Sequence, residues 1–314
     1  MPQRRLSRRD RPQGPGGALH LLLPGVPDVR SLFAILFAAV AIAAPARAEP
    51  PVWVVRDADS EVVLFGSVHV LPPGLDWRPK ALDAALGEAQ DLWFELPSGP
   101  AAEAEVARLA AERGVLPPGQ SLFRLLPPAD VALLLKVAKT YGVEPSTLDR
   151  LEPWLAEVAL AGAAYRKVGA ATEHGVEASI GSSTSEAIRR EAFETPAQQI
   201  AIFDSAPLAE QLASLRETLG ELDRNPDSYM KLVRAWMAGD VQGLDREALE
   251  PLRKVSPGVF RRLVIERNER WTEALDLRLK GRGKTVVVVG VGHLVGEEGL
   301  PTRLRALGYS VSGP

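Results

Sequence analysis

The sequence predicts an α/β (α+β) domain: one mixed sheet made by strands from both ends of the chain, carrying a large helical insertion. Three observations predict it. Two apolar, β-forming runs roughly 220 residues apart stop in the same way, Val62-Val63-Leu64-Phe65-Gly66-Ser67-Val68-His69 and Val286-Val287-Val288-Val289-Gly290-Val291-Gly292-His293. Each is followed or preceded by an amphipathic segment and another short apolar run, the signature of βαβ units with a partly parallel sheet. Between them, about residues 101–280, apolar residues recur at three- and four-residue spacing, the helical period.

Taken in order, residues 1–48 read as a secretory signal peptide. They carry seven Arg against two Asp, then an uncharged apolar run from Leu32 to Pro45, then Ala46-Arg47-Ala48, a small-residue cleavage pattern. The run is too short for a comfortable membrane span of about 20 residues. The polar lead before it is long, which fits translation starting at Val26 or Val29. Removing the leader leaves the rest, residues 49–314, at a net charge of −8 against −3 for the whole chain. This predicts a periplasmic or secreted protein with no membrane span in its mature form. The balance does not favour nucleic acid as a partner. Cysteine is absent, so thiol nucleophiles, zinc–thiolate sites and disulfides are excluded.

Pro50 to Leu71 reads as a β-hairpin around the polar turn Asp57-Ala58-Asp59-Ser60. Pro79 to Gln90 is an amphipathic helix, and Asp91 to Leu96 a short strand stopped by Pro97. Helices follow at Ala101 to Arg113, Pro128 to Tyr141 and Pro153 to Tyr165, with Gly114, Gly142 and Gly169 where helix stops belong. Arg189 to Thr195 reads as a strand, Ala197 to Leu222 and Pro226 to Ala238 as helices, and Arg261 to Leu279 as a long helix. The chain ends in strand, helix, strand: Lys284 to Val289, Leu300 to Leu307, Tyr309 to Val311.

The chemistry is expected at the two Gly-x-x-His segments, which hold two of the four histidines of the whole chain. Ligands in parallel α/β sheets bind at the carboxyl ends of strands. A histidine there suits metal ligation or proton transfer. Glu95 ends a strand expected to lie beside the one that carries His69, and Glu194 repeats an acid after Ala192-Phe193. An acid in an apolar strand is expensive to bury without a partner. Two imidazoles with one or two carboxylates suit a divalent Zn, Mn, Co or Fe. Arg267 and Asn268 complete the candidates. Arginine can hold a carboxylate or an oxyanion, although the bare pattern around it reads as a charged, solvated helix face. His174 is expected to be exposed. There is no His-Glu-x-x-His, no Gly-x-Ser-x-Gly and no Walker loop.

Taken together, Leu64 to Pro72, Leu92-Trp93-Phe94-Glu95, Leu151-Glu152-Pro153-Trp154, Phe193-Glu194-Thr195-Pro196, Ala235-Trp236, Glu266-Arg267-Asn268 with Trp271, and Val289 to Leu294 form an ordered set. In order and spacing this set resembles the TraB/PrgY/GumN superfamily, which also includes the Tiki proteins, and most of all its bacterial GumN-like branch. The resemblance covers essentially all of residues 50–312. It implies a compact fold similar to the erythromycin-esterase and ChaN-like proteins. It also implies a metal site of His69, His293 and Glu95, with Glu194, Arg267 and Asn268 as further site residues, and metal-dependent cleavage of peptides. Peptide or small-molecule substrates follow. The competing expectation is a haem, metal or small-ligand binding protein of the cell envelope without turnover. One departure is that many relatives carry Asp where this chain has Glu177.

Overall fold

A computed structural model describes residues 48–314; the leader expected over residues 1–48 lies, but for its last residue, outside them. A single six-stranded mixed sheet organises the chain. β1 (Val52–Arg56) and β2 (Ser60–Ser67) form the expected hairpin, with Trp53 opposite Leu64. Helix α1 (Lys80–Glu88) buries Leu82, Ala85 and Leu86 and leads to β3 (Asp91–Phe94). The insertion then runs through α2 (Pro100–Arg113), α3 (Pro128–Tyr141), α4 (Pro153–Lys167) and α5 (Val176–Ser183). Strand β4 (Arg189–Ala192) interrupts it, and α6 (Pro196–Asp204), α7 (Leu208–Arg224), α8 (Ser228–Met237) and α9 (Glu266–Leu279) follow. β5 (Gly283–Gly290), α10 (Leu300–Ala306) and β6 (Ser310–Ser312) close the chain.

The strand order is β4-β3-β5-β2-β1-β6. β5 lies parallel between β2 and β3, matching Ser67 to Gly290 and Phe94 to Val288. Three of the sequence expectations change here. The strand leading to Glu95 neighbours the one that leads to His293, not the one that leads to His69, because β5 inserts between β3 and β2. The helix expected over Ala197 to Leu222 is two helices, since Pro207 cannot continue the hydrogen-bond ladder and the chain breaks at Ser205 to Pro207. The long helix expected from Arg261 opens instead with one wide π turn, Arg261–Ile265, before α9.

Burial explains the central strands. Val62 to Phe65 and Val286 to Val289 are covered on both faces, so unbroken apolar runs replace the alternation of a half-exposed strand. Away from the sheet, α3, α4 and α7 enclose a second core around Leu134, Val137, Leu160, Leu215 and Leu219. No helix among the described residues is long and apolar enough to cross a membrane.

One acid enters that helical layer. Glu157 of α4 accepts hydrogen bonds from Ser214 Oγ (3.0 Å) and Thr218 Oγ1 (2.7 Å) of α7, and burial raises its pKa above the ordinary 4.5. Stability gained from the neutral acid is therefore present at low pH and lost as pH rises through the raised value. Glu157→Gln keeps both bonds without the ionisable group. Its melting temperature is expected to exceed that of the parent at pH 7–8, with the gap closing as pH falls below about 4.5 in a calorimetric series.

Candidate active site

The carboxyl ends of β2, β5 and β3 deliver His69, His293 and Glu95 to one place. The chain must pack closely to do this. A Cβ at Gly66 would stand 2.7 Å from Val291 Cγ2, so only glycine lets β2 pass the turn after β5. Trp236 Nε1 donates to Gly66 O (2.8 Å) and pins that passage. On the far side a Cβ at Gly175 would run into the carbonyl oxygen of His69, and Val176 N donates to Val68 O (3.2 Å). The first turn of α5 thus rests on the backbone of the histidine loop. That places Glu177 beside the ring, with Oε1 2.8 Å from His69 Nδ1. His69 remains exposed, and its pKa is raised to about 9, chiefly by the Glu177 charge.

His293 is the opposite case: buried in a short 3₁₀ turn after β5, under Trp271 at 4.4 Å between ring centroids. Asn268 Nδ2 donates to two carbonyls, His293 O (3.2 Å) and Glu298 O (2.7 Å), which leaves its Oδ1 as an acceptor. Nδ1 of His293, 2.7 Å from that oxygen, must carry the proton. Nε2 therefore holds a lone pair, which accepts from Arg267 Nη1 at 2.9 Å. Burial pushes the His293 pKa down to about 3, so the ring is neutral.

Arg267 joins the two sides. Its Nη2 donates to Glu95 Oε2 (2.5 Å) and Glu194 Oε2 (2.9 Å), Nε to Glu194 Oε1 (2.9 Å), and Nη1 to Leu263 O (3.3 Å) as well as to His293. All five N–H groups are used. Arg267 and Asn268 are not on a solvated face: they are 2% and 0% exposed, because the π turn before α9 rotates them under the strand ends. Burial opposes the charge on both partners, yet Arg267 stays above its ordinary value and Glu95 is held down to about 2 by Arg267, the histidines and the Gly290 N–H. That N–H donates to Glu95 Oε1 at 2.6 Å. Two buried carboxylates face Arg267, and Arg270 reaches Glu194 Oε1 at 3.4 Å as a second cation.

All six residues singled out from the sequence therefore gather at one end of the sheet. In the sequence Glu177 stands out only as a departure from relatives. Its role depends on α5 docking on the histidine loop, a contact 108 residues apart in sequence that no local pattern announces. His174 is exposed, as expected.

Whether these residues suit a metal can be tested on the space they leave. A Cβ on Gly290 would lie 3.1 Å from Glu95 Oε1, 3.5 Å from His69 Nε2 and 3.7 Å from His293 Cδ2, so side chains of the expected kind line a small space over this glycine. Each histidine anchors Nδ1 on an oxygen and turns Nε2 inward, as metal-bound histidines do. The residue types are those a divalent ion takes. As the structure stands, no three such side chains among the described residues are arranged to hold one, since Arg267 occupies His293 Nε2.

The profile of the TraB/PrgY/gumN family matches residues 51–313. The uncharacterized protein YbaP of Escherichia coli (strain K12) is 26% identical over 255 residues, covering 77% of this chain and 87% of its own, and YbaP of Shigella flexneri matches to the same extent. No solved structure matches.

Two outcomes follow from this geometry. Glu177→Gln removes the charge that raises His69, so its imidazole C–H resonances should titrate well below pH 9. An unchanged midpoint would show that the pair does not form. Arg267→Met strands Glu95 and Glu194 in the interior and should cost about 3–5 kcal/mol in urea unfolding at neutral pH. Part of that loss should return in acid, as the carboxylates protonate.

Proposed function

The chain belongs to the TraB/PrgY/gumN family, and on that footing we propose that it is an exported, metal-dependent hydrolase acting on peptides. The observation that carries this is the pair of inward-turned Nε2 atoms beside Glu95 over Gly290, each ring fixed from behind by an oxygen acceptor. His69, His293 and Glu95 would hold a divalent Zn, Mn, Co or Fe, which when bound acidifies water and polarises a carbonyl.

The protein's own groups do the rest. Glu177 fixes the His69 ring by its bond to Nδ1. Asn268 sets the tautomer of His293, leaving Nε2 unprotonated. Glu194, charge-neutralised by Arg267 and Arg270, keeps the guanidinium in place when His293 is engaged elsewhere. Arg267 can then turn an N–H toward negative charge developing on a substrate carbonyl oxygen. Water adds to the carbonyl carbon as a spare carboxylate takes its proton, the C–N bond breaks as that proton passes to the leaving nitrogen, and a carboxylate and an amine result. Trp271, packed over both Arg267 and His293, keeps bulk water from their inner faces.

The test combines composition with turnover. Purified protein should contain a stoichiometric divalent metal by elemental analysis, and His69→Ala and His293→Ala should each lose it while keeping the parent's circular dichroism spectrum. Released amines from a mixed peptide pool should appear with the parent and be lost in both variants and after chelation. Metal content unchanged in both variants would sink the site. Metal without any cleavage would favour a carrier.

A further inference from the structure

The site opens into a cleft of about 930 Å3 between the segment after β3 and helix α5, near the top of the ~300–1,000 Å3 range of small-ligand pockets. His69, Glu95 and Glu177 line one end of it, at the first turn of α5. Arg190, on the exposed edge strand β4, lines it too, and its partners place it at the other end of α5. Its Nη2 donates to Gly181 O (2.7 Å) and Thr184 O (3.3 Å), and Nη1 to Ser98 Oγ (3.4 Å). Every one of these acceptors is neutral, and among the described residues no carboxylate pairs with Arg190. The arginines at the carboxyl ends of the strands are committed: Arg267 to Glu95 and Glu194, Arg270 to Glu194. Arg190 thus brings an uncompensated positive charge and spare N–H donors to a cleft that ends at the reactive groups.

The spacing is that of a short peptide. α5 has eight residues, about 12 Å at 1.5 Å per residue, and an extended peptide covers that length in three to four residues at about 3.3 Å each. At the His69 end the rim carries Glu173, which like Glu103 pairs with no base among the described residues. The wall between is apolar, formed by Phe94, Leu96, Pro97 and Ala178.

Building on the hydrolase reading, we propose that the substrates are short peptides held by their free carboxyl terminus, with Arg190 as the carboxylate anchor and the bond to be cut lying at the His69–Glu95 end. Polypeptide segments without a free carboxyl end, such as loops of folded proteins, lack the group that Arg190 takes. Arginine suits this role because its planar fork matches a carboxylate.

Calorimetric titration with tetraalanine and with tetraalanine amide tests the anchor directly. The parent should bind the free acid at least tenfold more tightly than the amide. Arg190→Gln should bring the acid down to the affinity of the amide while leaving the amide unchanged, and Arg190→Lys should keep part of the preference. Equal binding of the two peptides by the parent, or binding of neither, overturns the proposal. So does an equal loss for both in Arg190→Gln, which would mark the residue as only a cap on α5. A parent that discriminates but leaves tetraalanine uncut would fail as a hydrolase while keeping the anchor. A parent that cuts both peptides without discriminating would lose the anchor alone.

Discussion

The structure depends on one buried cation. Arg267 spends all five of its N–H groups beneath the strand ends, and what it touches comes from four separate parts of the chain: Glu95 after β3, Glu194 after β4, His293 after β5 and Leu263 in the turn before α9. Removing the guanidinium would leave two carboxylates in an interior that cannot solvate them. The same bonds that satisfy the arginine therefore fix the strand ends relative to one another. The cost of desolvating this group is large, and an apolar cluster could have filled the space more cheaply. What such a cluster could not supply is a set of charged groups already aimed at a common point.

The two histidines show how environment divides identical side chains. One ring is exposed and paired with a carboxylate that raises it to about pH 9; the other is sealed under tryptophan and pushed to about pH 3. They stand at matched positions after adjacent parallel strands, so the difference arises wholly from what packs behind them. Glycines permit the arrangement. Gly66 and Gly175 each lie where a methyl group would strike the opposite element, and each contact is part of the route by which a ring or a carboxylate reaches the centre.

Much of this was legible in the chain. The matched Gly-x-x-His endings, the apolar strands and the acid after Leu92-Trp93-Phe94 locate the sheet and three of its site residues, His69, His293 and Glu95, by local pattern and order. The strand neighbours of Glu95 were not legible, since a run of valines records that a strand is buried on both faces but not which strands flank it. Nor was the burial of Arg267 and Asn268 readable. The sequence around them is charged on every side, and only the π turn at Arg261–Ile265 rotates this pair inward. Glu177 was hidden for a third reason: it meets His69 through helix docking rather than through strand order. The break at Pro207 was a local signal outweighed by the helical period on both sides of it.

The pairing of β2 with β5 joins residues 60–67 to residues 283–290 along eight consecutive rungs. Loop closure across more than two hundred residues is entropically slow to achieve, and neither strand can pair both of its edges until the other arrives. The centre of the molecule is in this sense a record of completion. The helical layer around Leu160 and Leu215 draws on residues 116–222 alone, but no partial product holds both imidazoles, and the chemistry can begin only after the last strand to be synthesised but one has slotted between two of the first three.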